Sequence, residues 1–389
     1  MQIKRYLHDP VEQDLAQKMV FLAGPRQVGK TTLAKEIMAE SGNGLYYLWD
    51  SKEDRQALMK PRWPAEPSTV VLDELHKYRR WKQWIKGEYD KHKEHIRFIV
   101  TGSARMDIYR KGGDSLQGRY HHWRLHPFSV NELEGVTPQV SPAAPLTFSS
   151  KRKEDQLAAL FRFGGFPEPI VAQSEKTHRR WEKERLERFF REDLRDLENV
   201  RDISSLQILS DMLPSRVGSP LSLNSLREDL EVSHKAVTHW MEVFERLYFL
   251  FRLRPYTTSA IRGLKKEAKA YLWDWSLVKD KGPRFENMIA SHLLKFCHYL
   301  EDSEGYKMDL YYMRDVAKRE VDFLVTIDRK PWFAVEAKVA SDTISPDLKY
   351  FGDRLKIPYL FQVTFDGGRE FVENGVHLLP AAKFLTALV

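Results

Sequence analysis

A glycine-rich segment near the start of the chain has the residue types and spacing of a phosphate-binding loop. The segment GPRQVGKT fits the pattern G-x-x-x-x-G-K-[ST]. Glycines let backbone N–H groups wrap phosphates, the lysine reaches the outer phosphates, and the threonine hydroxyl binds Mg²⁺. The sequence therefore predicts an ATP and Mg²⁺ site, with Thr31 as a metal ligand, at Gly24, Pro25, Arg26, Gln27, Val28, Gly29, Lys30, Thr31 and Thr32.

An apolar run that ends in two carboxylates supplies the second half of such a site. The run TVVLDE ends in Asp73 and Glu74. In ATPases an aspartate at this position holds Mg²⁺ through water, and the next carboxylate polarises the attacking water. The pair therefore predicts hydrolysis as well as binding, with Asp73 at the metal and Glu74 as the catalytic base.

Three further side chains are candidates for sensing or stabilising the γ-phosphate. Thr101 and Ser103 follow the apolar run 96–100, and Arg119 lies in the segment LQGR. A sensor role for Thr101 or Ser103 and a turn-forming role for Ser103 fit the sequence equally. Arg119 is either an arginine finger or a surface arginine that precedes the next strand, and the sequence leaves both interpretations open.

A hairpin in the last third carries a second set of chemical residues. Side chains alternate along a strand, so Glu336 and Lys338 share a face, and a turn centred on Arg329 places Asp322 opposite Glu336. Facing carboxylates repel each other unless a cation lies between them. The pattern predicts metal-assisted phosphodiester chemistry, with Lys338 orienting or deprotonating a water.

Glu286 lies on a helical segment before this hairpin and is a further candidate ligand. Two structural alternatives remain: an edge ion pair between Glu336 and Lys338, and a helix N-terminal position for Glu286 that the helix dipole favours. Considered together, the residues predict a nuclease-type site that uses Mg²⁺ or Mn²⁺. Its expected metal ligands are Glu286, Asp322 and Glu336, and its expected catalytic residues are Asp322, Glu336 and Lys338.

The elements that must position these residues indicate an α/β protein in three parts. Short apolar runs at 19–23, 45–49, 70–72 and 96–100 alternate with helical patterns, which predicts a parallel sheet covered on both faces. Residues 135–145 are rich in proline and predict a linker. We expect a P-loop ATPase domain at 1–135, a helical and winged-helix domain at 136–280, and a small α/β nuclease-like domain at 281–389.

The middle part combines a helix–turn–helix pattern with a hairpin. Helical patterns at 226–230 and 234–247 are followed by strand-like runs at 249–253 and 270–273 that flank a basic loop. This order is typical of a winged helix. Its expected nucleic-acid contacts are His234, Lys235, His239, Arg262, Lys265 and Lys266.

Composition narrows the class of protein. Hydrophobic residues make up 42% of the 389 residues, which excludes a disordered chain. The single cysteine excludes internal disulfides and cysteine-ligated zinc. The start of the chain has no apolar core of a signal peptide, and no run reaches the ~20 apolar residues of a membrane helix. We therefore expect a cytoplasmic protein without a membrane partner.

Net charge differs along the chain. The protein carries a formal charge of +7; residues 1–150 hold 23 basic and 18 acidic side chains, residues 151–280 hold 24 and 21, and residues 281–389 hold 15 and 16. The mildly basic first two thirds are compatible with nucleic acid as a partner. The neutral last third counts against a nuclease that holds phosphates by itself.

The order of these motifs resembles one family over nearly the whole chain. The stretches GPRQVGKTT, VVLDELHKY, TGSA, LQGR, FGGFPEP, LEVSHKAV and FEN…EVDFLV…FAVEAK resemble the large prokaryotic group of AAA+-type ATP-binding proteins with a C-terminal domain of unknown function. That C-terminal part is similar to the PD-(D/E)xK nuclease superfamily. The resemblance implies that Asp322, Glu336 and Lys338 occupy the D…ExK positions and Glu286 the helical glutamate, although Val321 stands where proline is usual.

Two classes of function follow from the sequence and this resemblance. The first is an ATP-dependent DNA-processing protein, in which a motor acts with a winged helix and a Mg²⁺-dependent nuclease. The resemblance to AAA+ ATPases implies that this motor forms a hexameric ring. The second is a nucleotide-dependent regulator or a partner-binding scaffold whose nuclease fold is inert. Convergence of Asp322, Glu336 and Lys338 on one point would favour the first.

Overall fold

The structure is a computed structural model that describes residues 3–102, 116–136, 140–149, 154–194, 202–257 and 267–389. Contacts divide the chain into an N-terminal unit, Met1–Pro127 with Arg246–Tyr248, and a C-terminal unit, Phe128–Glu245 with Phe249–Val389. The first break lies close to the boundary expected after residue 135. The boundary expected after residue 280 lies inside the C-terminal unit, so it does not separate two compact bodies.

The N-terminal unit contains the parallel sheet that the alternating apolar runs predict. Its strands follow the order β2-β3-β4-β1-β5 and all pair in parallel. The strands are β1 (Met19–Ala23), β2 (Gly44–Leu48), β3 (Ser68–Asp73), β4 (Ile96–Gly102) and β5 (Tyr120–Arg124). The helices are α1 (His8–Leu15), α2 (Lys30–Glu40), α3 (Lys52–Met59) and α4 (Trp81–His92), with a 3₁₀ turn at Leu75–Lys77.

The central strands of this sheet are buried on both faces, which is why they read as unbroken apolar runs. Every residue of β1 and β3 is buried. Parallel pairing sets Asp73 opposite Thr101 and Leu22 opposite Thr101. Because the carboxyl ends of β1, β3 and β4 meet at one edge, the residues that follow them gather at that edge.

Helices make up the first part of the C-terminal unit. They are α5 (Val130–Leu133), α6 (Glu154–Phe163), α7 (Pro167–Ala172), α8 (Glu175–Arg188), α9 (Ile203–Met212), α10 (Leu223–Asp229) and α11 (His234–Arg246). A π turn at Phe189–Asp193 continues α8, and a 3₁₀ turn at Leu213–Arg216 follows α9. The two helices expected at 226–230 and 234–247 are α10 and α11. The expected inner face of α11 is buried, at Val237, Met241, Phe244 and Leu247.

A mixed sheet makes up the rest of the C-terminal unit, in the order β12-β13-β11-β10-β9-β8-β6-β7. Its strands are β6 (Leu250–Pro255), β7 (Lys269–Leu272), β8 (Met308–Arg314), β9 (Glu320–Ile327), β10 (Lys330–Lys338), β11 (Tyr359–Thr364), β12 (Phe371–Glu373) and β13 (Val376–Pro380). Its helices are α12 (Lys281–Glu304), α13 (Pro346–Leu355) and α14 (Ala381–Phe384), with 3₁₀ turns at Trp275–Leu277 and Leu385–Ala387.

The hairpin that the sequence assigns to a winged helix belongs to this mixed sheet. Strands β6 and β7 pair antiparallel as expected, but β6 also pairs in parallel with β8 through Arg254 and Tyr311. The loop that joins β6 to β7, with the nucleic-acid candidates Arg262, Lys265 and Lys266, lies outside the described residues. The hairpin is therefore the edge of the C-terminal sheet.

Strands β9 and β10 form the hairpin that carries the second set of chemical residues. Its turn is formed by Asp328 and Arg329, both with positive φ (48° and 67°), as a type I′ turn requires. The pairing shifts by one residue between Pro331 and Phe333. Beyond this bulge Val335 lies opposite Phe323, which is the register expected from a turn centred on Arg329.

Buried polar contacts connect distant segments within the C-terminal unit. The Lys295 ammonium on α12 contacts the Glu132 carboxylate on α5, and both side chains are 2% exposed. Asn131 Nδ2 donates to the carbonyl oxygens of Thr386 (2.9 Å) and Leu388 (2.7 Å). These contacts explain why residues on both sides of position 280 pack as one body. Among the helices of the described ranges, none is long and apolar enough to cross a bilayer.

Candidate functional site

The phosphate-binding segment forms a loop between the end of β1 and the start of α2, as its sequence requires. Gly24 has φ of 150°, and a Cβ atom there would lie 2.4 Å from the Leu125 carbonyl oxygen. Gly29 precedes the first turn of α2 with φ of 101°. Both positions need glycine, one for close approach of two backbones and one for its left-handed conformation. The start of α2 therefore presents free N–H groups to the loop.

Lys30 is held by the backbone of its own loop. Its side chain is buried, and Nζ donates to the carbonyl oxygens of Gly24 (3.0 Å) and Pro25 (2.8 Å). Carbonyl oxygens hold the ammonium at the mouth of the loop, which is where the outer phosphates of a nucleotide lie in this class of site. Lys30 is thus positioned to exchange these carbonyls for phosphate oxygens.

Hydroxyl groups from three elements surround the Asp73 carboxylate. Thr31 Oγ1 and the Tyr46 hydroxyl each donate to Asp73 Oδ2 at 2.8 Å, and Thr101 Oγ1 donates to Asp73 Oδ1. Thr31 and Asp73 therefore meet as the sequence predicts, and their oxygen atoms are the ligand type that Mg²⁺ prefers. In the structure Thr101 therefore contacts the Asp73 carboxylate. No sequence motif points to Tyr46, because its contact with Asp73 depends on the β2–β3 pairing.

Glu74 lies directly beyond the end of β3 in a left-handed conformation, with φ of 56°. A glutamate rarely adopts this conformation, and such strain is common at functional sites. Its N–H donates to the Thr101 carbonyl (3.1 Å), and Oε2 lies 3.7 Å from His76 Nε2 and 3.8 Å from Lys77 Nζ. Burial lowers the pKa of His76. The backbone thus fixes Glu74 beside Asp73 at the sheet edge.

The remaining candidates near the γ-phosphate divide into one described residue and one outside the described ranges. Arg119 is exposed and forms a two-pronged ion pair with Asp90, with Nε to Oδ1 at 2.7 Å and Nη2 to Oδ2 at 3.1 Å. This is the surface position that the sequence left open beside the finger role. Ser103 lies outside the described residues.

Arg5 is a residue of this site that the sequence motifs miss. Its guanidinium is buried and donates from Nη1 to the Val28 carbonyl (2.6 Å) and from Nη2 to the His126 carbonyl (2.5 Å). It therefore ties the phosphate loop to the segment after β5. A lone arginine far from the motif gives no signal in one sequence, and only the fold brings it to the loop.

In the C-terminal unit, the strand register brings Asp322 and Glu336 together. Glu336 Oε2 accepts a hydrogen bond from the Asp322 N–H (3.3 Å), and Asp322 Oδ2 accepts one from the Ala337 N–H (2.9 Å). Glu336 Oε1 pairs with Lys338 Nζ at 2.7 Å. The expected cross-strand pair and the neighbouring lysine are thus present, and backbone donors or Lys338 occupy most of their oxygen atoms.

A lysine that the motifs miss lies among the carboxylates. Lys269 on β7 is 1% exposed, and its Nζ lies 3.1 Å from Glu286 Oε1, 2.7 Å from Glu320 Oε1 and 3.5 Å from Asp322 Oδ1. The Tyr271 hydroxyl donates to the same Glu286 oxygen at 2.6 Å. We call Lys269, Glu286, Glu320, Asp322 and Glu336 the carboxylate cluster. Glu286 belongs to this cluster, as the sequence predicts, but its carboxylate contacts an ammonium group.

The metal that the nuclease resemblance implies does not fit this arrangement. Within the described ranges, ligand atoms of Glu286, Asp322 and Glu336 do not all come within 4.8 Å of one another. The Lys269 ammonium contacts two of these carboxylates, where a divalent ion would need open oxygen atoms. Two of the three expected ligands, Glu286 and Asp322, contact a lysine, and the third, Glu336, pairs with Lys338.

Burial and mutual repulsion shift the titration of the carboxylate cluster. Burial, with the Asp322 charge, raises the pKa of Glu286 to about 7 and that of Glu336 to about 8. Burial opposes the charge of Lys269, but Glu286, Asp322 and Glu320 outweigh it and raise its pKa. Burial also opposes the charge of Lys338, and Glu336 raises its pKa. Both ammonium groups stay protonated, so Lys338 is not prepared to deprotonate a water.

The candidate nucleic-acid residues on α11 are exposed. His234, Lys235 and His239 face solvent, while the opposite face of the helix is buried. His234 also lines a pocket of about 450 Å³ between α10, α11 and the β6–β7 hairpin, in which Arg252 pairs with Glu245 at 2.6 Å. The described part of this surface carries both signs of charge.

Replacing Arg5 by methionine tests whether it holds the phosphate loop. Charge-assisted hydrogen bonds contribute about 1.5–3 kcal/mol, and we expect Arg5→Met to weaken ATP binding about tenfold or more. Titration with a fluorescent ATP analogue measures the affinity. Arg55→Met, at an exposed arginine of α3, is the matched control and should bind as wild type does. Unchanged affinity in folded Arg5→Met protein would contradict the role.

The raised pKa of Glu336 predicts how stability depends on pH. Between the ordinary glutamate pKa of 4.5 and about 8, the folded protein holds a proton that the unfolded chain has released. Stability therefore falls as pH rises through this range. In EDTA, urea unfolding of wild type should show a steeper loss of stability from pH 5.5 to 8 than unfolding of Glu336→Gln. Glu373→Gln, on exposed β12, should follow wild type; equal slopes in all three would refute the shift.

Comparisons with known protein families agree with the geometry of the N-terminal unit. Residues 16–134 match a family described as an AAA domain. Residues 154–280 and 281–384 match two domains of unknown function, DUF8612 and DUF4143. The boundary between these two matches is the one expected after residue 280, although the sheet of the C-terminal unit crosses it.

Curated relatives are distant and uncharacterized. The protein MJ1544 of Methanocaldococcus jannaschii is 22% identical over 74% of this chain and 65% of its own length, so this chain spans just under two thirds of it. The protein Rv2008c of Mycobacterium tuberculosis is 21% identical over 95% of this chain and 81% of its own length. Neither of these two relatives therefore indicates an activity for this chain.

Two solved structures are similar to this chain at low scores. The Walker-type ATPase PABY2304 of Pyrococcus abyssi is 15% identical, covers 70% of this chain and 93% of its own, and has a TM-score of 0.44. A variant of RuvB from Thermotoga maritima is 17% identical over 67% of this chain and 94% of its own, with a TM-score of 0.33. The AAA-domain match and the loop geometry carry the conclusion that residues 16–134 form a P-loop ATPase-like domain of the AAA type.

Proposed function

We propose that this protein hydrolyses ATP with Mg²⁺ and uses the nucleotide cycle to regulate binding of nucleic acid, while its nuclease-like fold does not cut. The observation that carries the ATPase part is the group formed by Thr31, Asp73 and Glu74 at the carboxyl edge of the parallel sheet. The Thr31 hydroxyl comes from α2, whereas Asp73 and Glu74 are neighbours at the end of β3, yet all three lie beside the phosphate loop. Chance pairing of motifs would not bring them together.

The side chains of this site divide the work of hydrolysis. The N–H groups at the start of α2 and the Lys30 ammonium bind the phosphates, and Lys30 gives up the Gly24 and Pro25 carbonyls to do so. Thr31 and Asp73 hold Mg²⁺, which when bound neutralises charge on the phosphate oxygens. Glu74 accepts a hydrogen bond from the attacking water and orients it.

The proposal includes assembly of six copies into a ring, because the chain resembles AAA+ proteins. In such rings an arginine from a neighbouring subunit completes the site. Arg119 lies at the surface of its own subunit, where it pairs with Asp90. This surface position supports a finger role, in which a phosphate of the neighbouring site would replace Asp90 as its partner.

Nucleic acid, with DNA as the expected form, is proposed as the regulated partner. The exposed face of α11 supports this choice, since the second helix of a helix–turn–helix contacts DNA with its exposed residues. The excess of basic residues in the first two thirds of the chain supports it as well.

Metal-dependent cleavage of nucleic acid is the second candidate. The alignment of Asp322 with Glu336, beside Lys338, favours it. The contacts of Lys269 with the same carboxylates oppose it, and they are the reason for placing the inert fold first. Mg²⁺ or Mn²⁺ at this site belongs to the second candidate alone.

Substitutions of Lys30 and Glu74 test the ATPase. Lys30→Ala should lower ATP affinity at least about tenfold. Glu74→Gln should keep affinity and lower turnover about 10²-fold or more, because a positioned base contributes that much. Phosphate release and nucleotide titration separate the two effects. Glu53→Gln, on an exposed part of α3, should retain wild-type turnover. Undiminished hydrolysis by Glu74→Gln would remove it as the base.

Salt-dependent DNA binding tests the regulated partner. Lys235→Gln should weaken binding to duplex DNA and lower the log–log salt slope by about one, because one phosphate contact is lost. Lys183→Gln, at an exposed lysine of α8, is the control and should leave the slope unchanged. An unaltered slope in Lys235→Gln would mean that α11 contacts something else.

One series of incubations separates the inert fold from the nuclease. Junction, duplex and single-stranded DNA are each incubated with Mg²⁺, with and without ATP. The proposal expects DNA to bind and remain intact. Cleavage that Asp322→Asn and Lys338→Ala both lose, while ATP hydrolysis persists, would establish the second candidate in its place.

A further inference from the structure

The carboxylate cluster contains its own cation. Lys269 Nζ lies within 3.5 Å of oxygen atoms from Glu286 on α12 and from Glu320 and Asp322 on β9. The side chain is 1% exposed, so water does not screen these contacts. One ammonium group therefore connects three carboxylates from two elements of the C-terminal unit.

Neighbouring groups hold each carboxylate in this arrangement. The Tyr271 hydroxyl, two residues from Lys269 on the same strand face, donates to Glu286 Oε1. Arg314 Nη1 donates to Glu320 Oε2 at 2.9 Å, so that carboxylate is paired on both sides. The Ala337 N–H occupies Asp322 Oδ2. At least one oxygen atom of each of Glu286, Glu320 and Asp322 is therefore already committed to a donor of this chain.

Charge explains why the arrangement needs Lys269. The cluster holds four carboxylates, Glu286, Glu320, Asp322 and Glu336, and the cations paired with them are Lys269, Lys338 and Arg314. Lys338 and Arg314 are partly exposed, whereas Lys269 alone of these three is almost fully buried. Removing one partner from a buried ion pair leaves an uncompensated charge, which is strongly destabilising. A divalent cation bound to these carboxylates would balance the charge that the loss of Lys269 leaves.

We infer that the Lys269 ammonium is a built-in replacement for a divalent cation, so that the carboxylate cluster excludes metal in this protein and becomes a Mn²⁺ or Mg²⁺ site only when Lys269 is removed. The inference deepens the inert-fold part of the proposed function and is independent of its ATPase part. Lys269 is a positioning residue that acts through Glu286, Glu320 and Asp322.

Titration of the full-length chain with Mn²⁺ and no nucleotide tests the inference. Electron paramagnetic resonance measures free Mn²⁺, and the cluster is identified as the binding that Asp322→Asn abolishes. Wild type should show no such binding up to about 1 mM Mn²⁺, the weak end of the range for carboxylate sites. Lys269→Met should gain about one equivalent, and Lys269→Met/Asp322→Asn should lose it again.

Lys281→Met is the matched control, since it removes an exposed lysine of α12 that pairs with Asp366. It should behave as wild type does. If Lys269→Met fails to fold, Lys269→Met/Glu320→Gln removes one carboxylate together with the ammonium and keeps the charge of the cluster balanced. This variant should fold and bind Mn²⁺ through Glu286 and Asp322.

Either of two results would overturn the inference. One is binding of Mn²⁺ to the wild-type protein that Asp322→Asn abolishes. This result overturns the inference without any lysine variant. The other is a folded Lys269 variant that binds no Mn²⁺. ATP hydrolysis in the same samples reports on the N-terminal unit, so failure of the ATPase proposal would be seen separately.

Discussion

The need to balance charge around a buried lysine constrains the C-terminal unit. Carboxylates from a helix and two strands meet in a largely buried region, where isolated charges are costly. Lys269 contacts three of them, Glu286, Glu320 and Asp322. Burial, with the Asp322 charge, also raises the pKa of Glu286 to about 7 and that of Glu336 to about 8, which favours the protonated form of these two groups. Lys269 reaches β9 from β7 although two strands lie between them in the sheet order.

The N-terminal unit solves a similar problem with neutral donors. Asp73 is buried, and the hydroxyls of Thr31, Tyr46 and Thr101 donate to it. Hydroxyls can be exchanged for a metal-bound water at small cost, whereas an ammonium group carries its own positive charge and competes with the metal. Asp73 is thus surrounded by neutral donors, whereas three carboxylates of the C-terminal unit share an ammonium group.

The sequence predicts a site best where one short motif contains both the reactive residues and the backbone segment that positions them. The loop from Gly24 to Thr31 and the end of β3 are of this kind, and the parallel sheet has the expected strands. The β9–β10 register is also predicted, although the structure reaches it through a bulge that no pattern shows.

The residues that sequence reasoning misses act across the fold. Arg5 reaches Val28, and Lys269 reaches Glu286, through tertiary contacts that a single sequence does not encode locally. The β6–β7 hairpin is predicted as a pair of strands but not as part of the C-terminal sheet, because pairing of β6 with β8 depends on residues more than fifty positions apart. Local sequence patterns therefore predict the helices and strands, whereas the carboxylate cluster forms only when these elements pack together.

The membership of the β6–β7 hairpin has a consequence for how this chain can change during evolution. Sequence families divide the chain after residue 280, yet Lys269 lies before that point and its carboxylates lie after it. Exchange of either segment between relatives by recombination would separate the ammonium from its partners. Such a hybrid would inherit either an unpaired buried lysine or a set of unpaired buried acids, so the two segments are expected to be inherited together.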